Sequence, residues 1–191
     1  MLQNETVRSD EWGRAYSQYV LLEVAVWKPQ AQTVDGERRR IMLQIIAYTD
    51  GSCLPNPGVG GFAAIMQANG KERVCQGYDT NEKSTNNRME LKAVITVIDW
   101  INNVQKEPCE VTICTDSKYL INCHTHKRSW LTSESRPNHD LWLELITKGL
   151  KGQHKIKFVK VEAHKNNELN NRVDKLAKAQ AVKARHERYG I

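Results

Sequence analysis

No apolar run in this 191-residue chain approaches the ~18–20 residues that a membrane-spanning helix needs, so no membrane partner is expected. The opening stretch, MLQNETVRSDEW, has neither the basic leader nor the apolar centre of a secretory signal. A cytoplasmic location is the expectation. The five cysteines are odd in number and include no C-x-x-C, which argues against a zinc ribbon and a disulfide framework and fits a reducing compartment. The six histidines make no H-E-x-x-H pair, and the glycines make no G-x-x-x-x-G-K-[ST] loop. Hydrophobic residues at 40% and charged residues at 26% suit an ordinary globular protein with one core.

The net charge of +6 is unevenly placed. Residues 1–41 hold six basic and six acidic side chains, and the remaining 150 hold 22 basic and 16 acidic. Such a surplus favours a polyanionic partner, nucleic acid before membrane, because no bulky amphipathic basic helix accompanies it. Residues 1–41 read as an N-terminal extension of unknown structure. Residues 19–27 (YVLLEVAVW) suit a strand or a short helix, a polar basic stretch follows, and no second β-rich unit is evident. Met42 immediately precedes the first clear strand, so a natural start at Met42 is one hypothesis, with the preceding segment packing poorly or not at all. The domain proper is taken as 42–191.

The chain is organised around Gln44-Ile45-Ile46-Ala47-Tyr48-Thr49-Asp50-Gly51-Ser52. An apolar run over 43–49 closed by a turn signal predicts a buried strand with Asp50 at its carboxyl end. The device recurs at Val111-Thr112-Ile113-Cys114-Thr115-Asp116-Ser117. Asp is also a good turn residue after any strand, but two such strands side by side would aim both carboxylates at one point. Two anions there repel unless one is protonated or a cation lies between them, and a divalent metal is the economical answer.

Around these strands the pattern predicts a hairpin over 62–78 turning at Asn69-Gly70 and a helix capped at Ser84-Thr85 and running to about Asn103. A short helix from Ser117, a polar loop over 127–137, a helix over 140–150, a strand over 155–161 and a helix from about Asn167 to near His186 complete the order. Hairpins first and crossovers later give an α/β fold with a mixed sheet and helices on its faces. Two further acids sit on helices, Glu90 early in the first and Asp174 beside the apolar stripe of the last. Alone, each reads as a solvated helix acid. Four acids on four elements make a cage for hard cations, and two Mg²⁺ ions suit in-line phosphoryl displacement. His164, in the loop ten residues before Asp174, is placed to shuttle a proton.

The ordered motifs Y-T-D-G-S, N-P-G-x-G-G-F-A, T-N-N-R-M-E-L, T-D-S-K-Y-L, N-H-D-L-W and H-x5-N-x3-D-x-L-A resemble those of type 1 ribonuclease H, over about 145 residues from Met42. The resemblance implies a ribonuclease H-like fold, with a five-stranded mixed sheet whose first three strands are antiparallel. It implies a monomeric endonuclease that cuts the RNA strand of RNA–DNA hybrids with two Mg²⁺ ions, Mn²⁺ being a possible substitute, and leaves 5′-phosphate and 3′-hydroxyl ends. Asp50, Glu90, Asp116 and Asp174 match the family's metal-binding carboxylates, and His164 its mobile histidine. Asn56 and Asn86 match groups that read the minor groove, where the 2′-hydroxyls lie. Lys83, Thr85 and Asn138 match a pocket for a phosphate of the DNA strand.

Three departures carry expectations of their own. Only residues 123–137 stand where many bacterial members have a long basic handle, with Lys127, Arg128, Trp130 and Arg136 as remnants, which predicts weaker, salt-sensitive hybrid binding. Glu162-Ala163 replaces the usual Lys-Gly before the histidine, predicting a stiffer loop. Residues 1–41 lack the Trp/Tyr/Gly-rich pattern of a hybrid-binding domain. Two rivals stand against the hydrolase reading: a non-catalytic hybrid- or duplex-binding module on the same fold, and another nuclease of the superfamily.

Overall fold

The computed structural model describes residues 27–29, 31–34, 37–40, 42–151, 153–162 and 167–190. In chain order the elements are β1 (Ala31–Val34), β2 (Glu37–Arg40), β3 (Leu43–Cys53), β4 (Gly60–Ala68), β5 (Lys71–Asp79), α1 (Asn86–Val104), β6 (Cys109–Thr115), α2 (Lys118–His124), α3 (Arg128–Leu131), α4 (His139–Lys151), β7 (Lys155–Lys160) and α5 (Glu168–Tyr189). The main sheet has the order β5-β4-β3-β6-β7. β3, β4 and β5 pair antiparallel, whereas β6 pairs parallel to both β3 and β7. This is the expected five-stranded mixed sheet with helices on its faces.

Period-2 alternation sets β3 on its core: Leu43, Ile45, Ala47 and Thr49 are buried while Gln44 and Ile46 are exposed. On that face the apolar stripe of α1 (Leu91, Val94, Ile95, Ile98, Ile101) and Trp142 of α4 close the main core. On the other face Val173 and Ala177 of α5 pack against Ala63 and Ile65. β4 is covered on both sides, which is why its sequence, GGFAAIMQA, is nearly all apolar.

Two expectations need correction. β3 does not end at Thr49 but runs to Cys53, because its ladder to β4 continues from Asp50↔Ala63 to Cys53↔Gly60. The parallel ladder to β6 is the one that stops, at Tyr48↔Cys114. The loop over 127–137 contains α3, whose Leu131 is buried and joins the main core. Within the extension, β1 and β2 form an antiparallel ladder from Ala31↔Arg40 to Val34↔Glu37. Residues 1–26 lie outside the described residues.

Among the described residues, Trp27 and Lys28 tie the extension to the domain. Trp27 is 4% exposed, and its ring centroid lies 5.0 Å from that of Trp100 near the end of α1. The Gln105 side-chain amide donates to the Trp27 carbonyl, and Asn69 Nδ2 donates to the Lys28 carbonyl at 2.8 Å. Truncating a buried Trp removes both its transfer energy and its packing, so Trp27→Ala should destabilise the full chain by about 3 kcal/mol in denaturant unfolding. A loss below about 0.5 kcal/mol, the range of ordinary surface changes, would mean that the contact does not hold in solution.

Candidate active site

Two adjacent strands and two helices converge where β6 leaves β3. Asp50 lies on β3 just past the row where β6 leaves it, and Asp116 directly follows the last residue of β6. α1 reaches this corner because residue 51 is glycine: a Cβ there would stand 2.3 Å from the backbone nitrogen of Glu90 and 2.3 Å from the carbonyl carbon of Met89. Glu90 is thereby set beside Asp50. Gly61 does the same for α5, since a Cβ would lie 2.2 Å from Ala181 N and 2.4 Å from the Ala177 carbonyl oxygen. Asp174 sits one turn before Ala177 on that helix.

The carboxylates feel one another. Burial pushes the Asp50 carboxyl up, and the charges of Asp116, Asp174 and Glu90 add to it, reaching about 7 against one backbone hydrogen bond from Gly51. Burial likewise raises Glu90 to about 7, with Asp116 adding and the Ser117 hydroxyl opposing. As the side chains stand, three of the four acids lean on separate neighbours. The Ser117 hydroxyl donates to Glu90, Asn170 Nδ2 donates to Asp116 at 3.0 Å, and Lys178 Nζ meets Asp174 at 2.8 Å. Among the described residues no three His, Cys, Asp or Glu side chains close on a single ion-sized point. Carboxylates that repel and find local donors relax in this way.

These neighbours were missed by sequence reasoning, although signals existed. Ser117 also caps α2, accepting from Leu120 N at 3.2 Å, and follows Thr-Asp directly. Asn170 stands four residues before Asp174, which puts both on one helix face. It is 3% exposed, and its Oδ1 has no hydrogen-bond partner among the described residues.

The sign of the coupled shifts gives a pH dependence for protein stripped of divalent ions. Asp50 and Glu90 bind protons more tightly folded than unfolded, so their contribution is fully present below the unfolded carboxyl range, about 4. It is lost as pH rises through about 7. In chelator, Tm should therefore fall between pH 5 and pH 8, and a divalent cation should restore it more at pH 8. A melting temperature flat across that range, with or without cation, would contradict the coupling.

A second group of predicted residues lines the neighbouring rim. Thr85 caps α1, its hydroxyl accepting from Arg88 N at 3.3 Å. Asn86 Oδ1 accepts from Cys53 N at 2.7 Å, and Asn56 Oδ1 accepts from Asn86 N at 3.2 Å. Lys83 is exposed, with its backbone N–H donating to Asn81 Oδ1 at 2.9 Å. Asn138 takes a left-handed backbone (φ 61°); its Nδ2 donates to the Tyr119 hydroxyl at 3.0 Å and its Oδ1 accepts from Arg88 at 3.4 Å. Arg88 in turn forks onto Asp140 at 2.9 and 2.6 Å. The rim is thus joined across α1 and the start of α4. On α3, Trp130 stacks on His126 with centroids 4.2 Å apart and receives the Arg136 guanidinium at 3.4 Å. His164 lies outside the described residues.

Comparison with known proteins adds an independent finding. The family model described as RNase H matches residues 42–182. A Ribonuclease H of Caldicellulosiruptor saccharolyticus is 42% identical over 147 residues, covering 72% of this chain and 96% of the relative. A Ribonuclease H of Salmonella arizonae is 42% identical over 159 residues, covering 78% and 97%. Among solved structures, LC9-RNase H1, titled a type 1 RNase H with the type 2 active-site motif, superposes with a TM-score of 0.64 at 23% identity. That match covers 76% of this chain and 75% of the other.

Proposed function

This chain belongs to the ribonuclease H family, and from that premise we propose that it cuts the RNA strand of RNA–DNA hybrids endonucleolytically. The expected products carry 5′-phosphate and 3′-hydroxyl ends. The observation that carries the reading is that Asp116, Asp174 and Glu90, on three other elements, stand close enough to Asp50 for their charges to raise its carboxyl. An all-oxygen, all-anionic donor set fits hard divalent cations, Mg²⁺ first and Mn²⁺ as substitute. Two such ions, when bound, supply an acidified water and a counter-charge for the departing oxygen. Asp50 and Asp116 are the central ligands in this reading, with Glu90 and Asp174 completing the set.

The protein's own groups do the rest. Ser117 and Asn170 give Glu90 and Asp116 local donors that hold them at the corner while no cation is bound. His164 is assigned the proton transfer or product-release step. Asn56 and Asn86 test for the 2′-hydroxyl with amide groups, which tells RNA from DNA without reading base sequence. Lys83, Thr85 and Asn138 hold a phosphate of the DNA strand. The short segment around α3 offers few cations, so binding should be salt-sensitive and moderate. The catalytic unit is assigned to 42–191, acting as a monomer in the cytoplasm, with residues 1–41 as an extension. No helix among the described residues is long and apolar enough to cross a membrane.

The experiment is one labelled strand in three contexts, hybrid, single-stranded RNA and duplex DNA, each with Mg²⁺ and with chelator. Cleavage of the RNA in the hybrid alone, dependent on metal, is the expected result. Binding without cleavage would favour a non-catalytic module, and cutting of duplex DNA another nuclease of the superfamily; either outcome overturns the proposal.

A further inference from the structure

Asp79, the last residue of the edge strand β5, carries a polar network with no part in the chemistry above. Its Oδ2 accepts from Lys92 Nζ at 2.7 Å and from the Ser84 hydroxyl at 3.3 Å. Its Oδ1 accepts from Asn81 N at 3.0 Å. Both charged side chains are only 17% exposed, and Ser84 is wholly buried. Lys92 comes from α1, so the ion pair pins the end of β5 to the helix that bears Glu90 and Asn86.

The network continues toward the rim. Ser84 N donates to the Asn81 carbonyl at 3.0 Å, and the Ser84 carbonyl accepts from Gly58 N at 2.9 Å. Asn81 Oδ1 holds the Lys83 N–H. One carboxylate therefore organises the whole 80–85 turn and, through Ser84, the 54–59 loop on which Asn56 stands. A partly buried pair joined to several further hydrogen bonds is worth more as a clamp than an exposed one. Burial pushes the Asp79 carboxyl up, but the Lys92 hydrogen bond and charge outweigh it and hold it below the usual range, as a satisfied anchor requires.

We infer that Asp79 and Lys92 are positioning residues for nucleic-acid recognition: their ion pair sets the relative placement of Asn56, Lys83, Thr85 and Asn86. They neither face the four-acid corner nor touch substrate. The inference rests on the proposed reading of those four residues as duplex contacts. Loss of the pair should loosen the turn and raise KM for hybrid while leaving kcat in place.

The test compares wild type with Asp79→Asn, Lys92→Met and Lys92→Arg, all as the full chain and well below their melting temperatures. Wild type comes first: if it neither binds nor cuts hybrid, the proposed function fails and the network is not what failed. Given an active wild type, Asp79→Asn and Lys92→Met should each raise KM roughly tenfold, the scale of one lost charge-assisted hydrogen bond, with kcat changed less than about twofold. Both should narrow the binding preference for hybrid over duplex DNA, and Lys92→Arg should recover most of the wild-type KM. Amide exchange at 83–86 should accelerate in the first two variants alone. Unchanged KM, a fall in kcat at constant KM, or no recovery in Lys92→Arg overturns the inference. If Lys92→Met does not fold, the isosteric Asp79→Asn decides it.

Discussion

Asp50→Asn should yield a protein that folds, melts higher than wild type in chelator at pH 8, and does not cut. The substitution keeps shape and removes one negative charge from a corner that repels itself. At pH 8 the Asp50 carboxyl is ionised against burial and three neighbouring acids, having been pushed up to about 7. Replacing it with a neutral amide relieves that penalty, a gain of roughly 1–3 kcal/mol in metal-free protein. The same change removes one of the two carboxylates proposed as central cation ligands, and activity should fall by at least about 10³-fold. The two readouts move in opposite directions, the expected signature of a site that trades stability for chemistry. Thermal melts and a hybrid-cleavage time course on one preparation suffice. Normal cleavage with Mg²⁺ present would remove Asp50 from the mechanism.

Gly51→Ala should be severely damaging for the addition of a single methyl. The added Cβ would meet backbone atoms of Glu90 and Met89 at 2.3 Å, and backbone cannot rotate away as a side chain can. β3 and α1 must separate, which costs about 3 kcal/mol or more and pulls Asp50 and Glu90 apart together. Gly70 is the natural control. It adopts φ +70° with open space around its Cβ position, so Gly70→Ala should cost only about 1 kcal/mol of backbone strain and leave cleavage intact. Equal destabilisation of the two variants would mean that the tight crossing at Gly51 relaxes in solution.

Much of this architecture was legible because the signals are local. An apolar run closed by a turn signal marked β3, Asn69-Gly70 marked the β4–β5 hairpin, and Thr85 marked the start of α1. The repeated Thr-Asp on two apolar strands pointed to Asp50 and Asp116 as neighbours, although β3 runs on past Asp50. What escaped was of two kinds. Some signals were present and passed over: Asp35-Gly36 between β1 and β2 is a hairpin dipeptide, and Leu131 in a polar loop asked for burial. Others have no local signature. That β3 outruns its parallel partner by five residues depends on β4, and that Trp27 finds Trp100 depends on a contact 73 positions away in the chain. The Asp79–Lys92 clamp belongs to the second kind, since each residue alone reads as a solvated charge.

α1 has a use beyond its buried stripe. Glu90 lies near its first turn, and Gln105, which grips the Trp27 carbonyl, caps its far end, about 22 Å away along the axis at 1.5 Å per residue. A fluorophore, an affinity handle or a second module joined directly at Trp27 would therefore be anchored at the opposite end of α1 from Glu90.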